Sequence, residues 1–129
     1  MPEGAQLLLV EDDRDSRVSV AALLRTRGYY VITAVDGEQA IQLARQRRPC
    51  LILLDVMMPL MDGHEFRQTQ LADPVLAHIP IVLMSGHDDV AELAKTLGAV
   101  GYVRKPIIID DLVKVIDAHC KRVGPDTSA

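Results

Sequence analysis

Apolar and polar positions fall into two alternating patterns along the chain. Short, nearly uninterrupted apolar runs occur at residues 6–10, 30–34, 51–54, 79–84 and 101–104. Between them lie longer stretches whose apolar residues recur at helical spacing. The runs predict five strands, and the central ones, apolar at every position, predict strands buried on both faces. The intervening stretches predict helices over about 15–27, from Asp36 to a stop at Pro49, and over about 63–72, 88–97 and 110–122. Val18, Ala21, Ala22 and Leu24 mark the expected inner face of the first helix, and Phe66 the anchor of the third. Leu112, Val113, Val115 and Ile116 mark that of the last. Gly28 and Gly98 supply helix stops, while Asp36 with Gln39 three residues on forms a capping-box pattern. Asp73-Pro74 and Ile79-Pro80 bracket a loop. Strict alternation of strand and helix predicts an α/β fold with a doubly wound parallel sheet. All strand carboxyl ends then face one edge, where such sheets bind ligands.

Length and composition narrow the class. The 129 residues fit one domain, and 49% apolar with 25% charged residues is the balance of an ordinary globular protein. A net charge of -4, without any Lys/Arg-rich run, argues against a nucleic-acid-binding surface. No apolar run approaches the ~20 residues of a membrane span, and no signal-peptide pattern opens the chain. Two cysteines, Cys50 and Cys120, do not make a disulfide framework, so the expected location is cytoplasmic. Residues 125–129 read as a frayed tail or the start of a linker.

The chemistry collects at the strand ends. The third strand runs into Asp55, and Pro59 and Gly63 then turn the backbone into a loop. Taken alone, Asp55 is either a loop-capping carboxylate or a reactive one. The first strand delivers Glu11, Asp12 and Asp13, the fourth Ser85 and the fifth Lys105, all to the same edge. Clustered carboxylates repel one another unless a cation neutralises them. A hard divalent cation is the economical solution, and Mg2+ suits a site with few protein carboxylates. An aspartate beside Mg2+, a hydroxyl and an ammonium is equipped to accept a phosphoryl group as an acyl phosphate. Read singly, the same residues are a solvated loop carboxylate, a cap and a surface lysine; only their convergence points to chemistry.

Four motifs carry a resemblance. Leu-Leu-Val-Glu-Asp-Asp, Leu-Leu-Asp-Val-Met-Met-Pro-Leu-Met-Asp-Gly, Met-Ser-Gly and Tyr-Val-Arg-Lys-Pro occur in this order and spacing. With them the chain resembles a CheY-like receiver domain of two-component response regulators, from Gln6 to Arg122. The resemblance implies a flavodoxin-like (βα)5 fold of strand order 2-1-3-4-5, with the receiver over residues 1–124. It implies that Asp55 is the phosphoacceptor, that Asp12 binds Mg2+ directly and Glu11 through water, and that the Met57 main-chain carbonyl completes the ligands. Ser85 and Lys105 would contact the phosphoryl group, and Tyr102 would be the switch aromatic that turns inward behind Ser85. The register of the first strand selects Glu11 and Asp12, not Asp13, as the acidic pair. Met57 and His87 occupy positions that tune dephosphorylation; His87 reads either as a partner for the attacking water or as a solvated loop residue. His64, His78 and His119 lack mutual ligand spacing and read as surface residues.

The implied function is a phosphorylation switch rather than an enzyme, although the domain assists its own phosphorylation and dephosphorylation. The implied donor is a sensor histidine kinase or histidine phosphotransfer protein, docking near Arg14 and Arg17. The readout surface would be the fourth helix, fifth strand and fifth helix, around Glu92, Lys95, Tyr102, Arg104 and Lys114. It would meet a downstream protein, a fused output domain or a second copy of the chain. A start at Met-Pro and an end close to that of the fold favour a stand-alone regulator over a module of a longer regulator or hybrid kinase. Two other classes rank behind. An FMN carrier needs a Ser/Thr/Gly-rich loop after the first strand, which here is acidic, and aromatics are only 3%. An aspartate-nucleophile phosphatase needs a second Asp where Met57 stands.

Overall fold

Five short apolar runs pair side by side into one parallel sheet. The computed structural model of the chain describes residues 6–56 and 63–120. In chain order the elements are β1 (Gln6–Val10), α1 (Arg14–Thr26), β2 (Tyr30–Ala34), α2 (Gly37–Arg47), β3 (Leu51–Asp55), α3 (Gly63–Leu71), β4 (Ile81–Ser85), α4 (Val90–Leu97), β5 (Gly101–Arg104) and α5 (Ile109–Asp117). The strands lie in the order β2-β1-β3-β4-β5, as the resemblance implied. Chain direction across the sheet reverses between β1 and β3, so their following loops diverge and leave a cleft at the carboxyl edge.

The central strands are buried throughout because both faces are covered, and their side chains divide by the period of two. Leu8, Val10, Ile52, Leu54, Ile81 and Leu83 pack on one face with Ala40 and Ile41 of α2, Phe66 of α3 and Val90, Ala94 and Leu97 of α4. Leu7, Leu9, Leu51, Leu53, Val82 and Met84 pack on the other with Val20, Ala21 and Leu24 of α1 and Leu112 and Ile116 of α5. Register places Leu8 beside Ile52 and Asp55 beside Met84, aligning the polar strand ends.

The structure corrects several sequence expectations. The inner face of α1 is Val20, Ala21 and Leu24; Val18 is 57% exposed and Ala22 is also exposed. Asp13 fixes the start of this helix at Arg14: its side chain accepts from Ser16 N at 2.9 Å and caps it. β4 begins at Ile81 rather than residue 79, because Ile79 N donates back to Leu76 O in the preceding turn and Pro80 has no N–H. α4 begins at Val90 rather than residue 88, its first turn resting on the Asp89 carbonyl, which accepts from Leu93 N. α5 ends at Asp117 rather than near residue 122, because His119 N donates to Ile116 O and tightens the last turn. Gln39 reaches Val35 N at 2.8 Å rather than the N–H of Asp36, while Asp36 accepts from Gln39 N at 2.9 Å. Cys50 and Cys120, which sequence reading left unpaired, are joined as a disulfide.

Candidate functional site

β1 and β3 place the acids. Glu11 follows the last residue of β1 and stays in line with the sheet, because its N–H donates to Ala34 O at 3.0 Å. Its side chain is therefore directed inward, and the residue is 1% exposed. Asp12 is exposed beside it, and Asp13 turns away to cap α1. Arg17 secures this loop, donating to the carbonyls of Glu11 at 3.1 Å and Asp12 at 3.3 Å. Sequence reading placed Arg17 only on a docking face; the missed signal was a basic residue one turn into the helix that follows the acids. Asp55 closes β3, 2% exposed, with Val56 N donating to Met84 O behind it. One carboxylate oxygen each from Glu11, Asp12 and Asp55 lies within 4.8 Å of the others.

β4 and β5 supply the remaining groups. Lys105 N donates to Ser85 O at 2.8 Å, extending the strand pairing past Arg104. Lys105 Nζ then reaches Glu11 Oε1 at 3.1 Å and Asp55 Oδ2 at 3.4 Å. Ser85 is 1% exposed, and its Oγ accepts from His87 N at 3.0 Å. Arg104, which sequence reading placed only on the readout surface, donates to the carbonyls of His87 and Asp88 and pairs with the Asp88 carboxylate at 3.7 Å. It ties the loop after β4 to the end of β5. Tyr102 is exposed on β5, and His64, His78, His87 and His119 are all exposed. Met57 and residues 58–62 lie outside the described residues.

The electrostatics follow from burial. Burial pushes the Glu11 carboxyl from the ordinary 4.5 up to about 7, reinforced by its hydrogen bond with Asp55 and opposed by Lys105. Burial pulls the Lys105 ammonium down, but Glu11 and Asp55 outweigh it and hold the group above its ordinary value. Three carboxylates thus face one ammonium, an imbalance that a hard cation with oxygen ligands would offset. The donor set fits Mg2+: oxygen only, compact and open on the Asp12 side. Among the described residues no helix is long and apolar enough to cross a membrane.

Comparison with known proteins agrees with this geometry. The response regulator receiver domain family matches residues 7–117. Transcriptional regulatory protein PdtaR of Mycobacterium tuberculosis is 33% identical over 118 residues, which is 91% of this chain and 57% of that protein. The chain thus spans about half the length of the curated relatives it matches. The chemotaxis protein CheY4 of Vibrio cholerae superposes with a TM-score of 0.82 at 30% identity, covering 91% of this chain and 99% of that one. The receiver domain of sensor histidine kinase PA1611 from Pseudomonas aeruginosa, with a magnesium ion in its active-site cleft, gives 0.81 at 28% identity, covering 91% and 98%. The family match spans the sheet except Gln6, all five helices and every described residue of the acidic cleft, and the chain belongs to the response regulator receiver domain family of two-component systems.

Proposed function

We propose that the chain is a phosphoacceptor switch in which Asp55 takes a phosphoryl group from a phosphohistidine donor. The supporting observation is the placement of Asp55: nearly buried at the end of a central strand, 3.4 Å from an ammonium and clustered with Glu11 and Asp12. An Asp55 carboxylate oxygen bonds to phosphorus as the P–N bond to the donor imidazole breaks, leaving an acyl phosphate. Glu11, Asp12 and Asp55, with the main-chain carbonyl of Met57, would hold Mg2+, which would neutralise charge on the transferring oxygens. Lys105 supplies a second positive charge, and Ser85 a hydroxyl for a phosphoryl oxygen.

Ser85 Oγ now accepts from His87 N, and its rotation toward a phosphoryl group would break that bond and free the loop that Arg104 holds. Tyr102, exposed in this structure, would follow inward. His87 and Met57 would set how long the acyl phosphate lasts. The receiver occupies residues 1–124, consistent with the family match over 7–117. A cytoplasmic histidine kinase or phosphotransfer protein is the donor. α4, β5 and α5 form the output surface toward a downstream protein, a second copy or a following domain. The last is favoured by relatives that extend well beyond the matched length.

Incubation with acetyl phosphate and Mg2+ followed by intact-protein mass spectrometry tests the assignment. One phosphoryl is expected on the wild-type chain and none on Asp55→Asn or in excess chelator. A mass gain that survives in Asp55→Asn removes the assignment, and turnover of a phosphomonoester would turn the reading to a phosphatase.

A further inference from the structure

β3 carries Asp55 at one end and Cys50 immediately before the other. Cys50 is half-buried, and Cys120, buried, leaves the last turn of α5 with its N–H on Ile116 O at 2.8 Å. Their Cα atoms are 5.9 Å apart across 70 residues of sequence, inside the range a disulfide spans without moving the backbone. We propose that Cys50 and Cys120 are a reversible redox modification site, a thiol–disulfide clasp fastening the end of α5 to the entry of β3. Low-molecular-weight disulfides and thiols would make and open it.

The two sulfurs differ in access, which gives the exchange an order. The Cys50 thiolate attacks one sulfur of glutathione disulfide and displaces a glutathione thiolate. The Cys120 thiolate then attacks the Cys50 sulfur of that mixed disulfide and displaces the second glutathione. Two protein thiols are oxidised, one glutathione disulfide is reduced to two thiols, and the two protein protons end on them. The opened state is also provided for, because Gln6 O lies 3.4 Å from the Cys50 sulfur and can accept from its S–H.

The site lies a strand length away from the acidic cleft, so its consequence falls on α5. That helix is otherwise held by Leu112 and Ile116, by Asp117 against Tyr29 and by Asp110 against Arg27 at 2.9 Å. Opening the clasp loosens the final turn of a helix in the proposed output surface and leaves the carboxylates alone. The clasp itself does not depend on the phosphoacceptor reading, and its test uses no phosphorylation readout.

The full chain is equilibrated with glutathione disulfide or with dithiothreitol, quenched with an alkylating reagent in denaturant so that buried Cys120 is reached, and weighed intact. The oxidised sample should lose two hydrogens, take no alkyl group and retain no glutathione; the reduced one should take two alkyl groups. Cys120→Ser should trap one glutathione on Cys50, and Cys50→Ser, at the half-buried position, should equally abolish the loss of two hydrogens. Closing a loop of this length should raise Tm by about 10 °C over the reduced chain, with no such change in the double Cys→Ser variant. Two alkylated thiols after oxidation, or stable glutathione adducts on both sulfurs, would overturn the clasp. A bond that resists excess dithiothreitol under native conditions would overturn its reversibility.

Discussion

Replacing Glu11 by Gln tests the electrostatics of the cleft without removing its shape. Glu11 is 1% exposed, and burial with the Asp55 hydrogen bond lifts its carboxyl from 4.5 to about 7. A folded-state pKa above the unfolded one means the native chain holds its proton more tightly. The stability this contributes is fully present below pH 4.5 and is lost as pH rises to about 7. That gap corresponds to at most about 3 kcal/mol. Gln mimics the protonated carboxyl and can still accept from Lys105. Glu11→Gln should therefore match the wild type within about 1 kcal/mol near pH 5 and exceed it by about 2–3 kcal/mol near pH 8. Urea unfolding in chelator at the two pH values, followed by far-UV circular dichroism, measures both differences. Titrating groups that do not touch Glu11 are common to the two proteins and drop out of the comparison, while Asp55 and Lys105 respond to the substitution directly. Parallel stability curves for wild type and variant across this pH range would refute a burial-raised Glu11.

The same proton competes with metal. Mg2+ affinity measured by isothermal titration calorimetry should fall up to about tenfold per pH unit below about pH 7, and a flat profile there would contradict the cluster as a metal site. Gln70→Leu should cost about 2–3 kcal/mol, because the buried amide donates to Leu76 O at 2.9 Å and Ile79 O at 2.8 Å. An unchanged urea midpoint would show those carbonyls to be otherwise satisfied. Phe66→Ala should cost about 3–5 kcal/mol by opening a cavity under α3, read in the same assay. Arg104→Ala should speed amide exchange in residues 86–89 while changing global stability by less than about 1 kcal/mol, since its partners are exposed. Unaltered exchange there would mean Arg104 does not restrain the loop.

Some of the cleft was legible because its residues sit at positions the local pattern marks. An apolar run ending on an acid identifies a strand end, and parallel topology sends all such ends to one edge. Asp55, Glu11, Asp12, Ser85 and Lys105 were picked out that way, and the structure brings one oxygen of each acid within 4.8 Å of the others and sets Lys105 against Glu11 and Asp55. Arg17 and Arg104 were not recognised as loop restraints. Their hydrogen bonds go to main-chain carbonyls, which leave no trace in residue identity. The inner face of α1 differs from the expected one because spacing alone does not say which apolar residues meet the sheet; packing of Val20, Ala21 and Leu24 against Leu7, Leu9 and Leu53 decides it.

Sequence alone determined the order of elements, the parallel sheet and the candidate acids, since each depends on local periodicity, turn residues and one handedness rule. Tertiary structure alone decided which charges meet, how far burial lifts Glu11, and that two cysteines 70 residues apart become neighbours. The reason is physical. Periodicity is set by neighbours in the chain, whereas desolvation and side-chain pairing are set by neighbours in space, which exist only once the sheet has closed over its core.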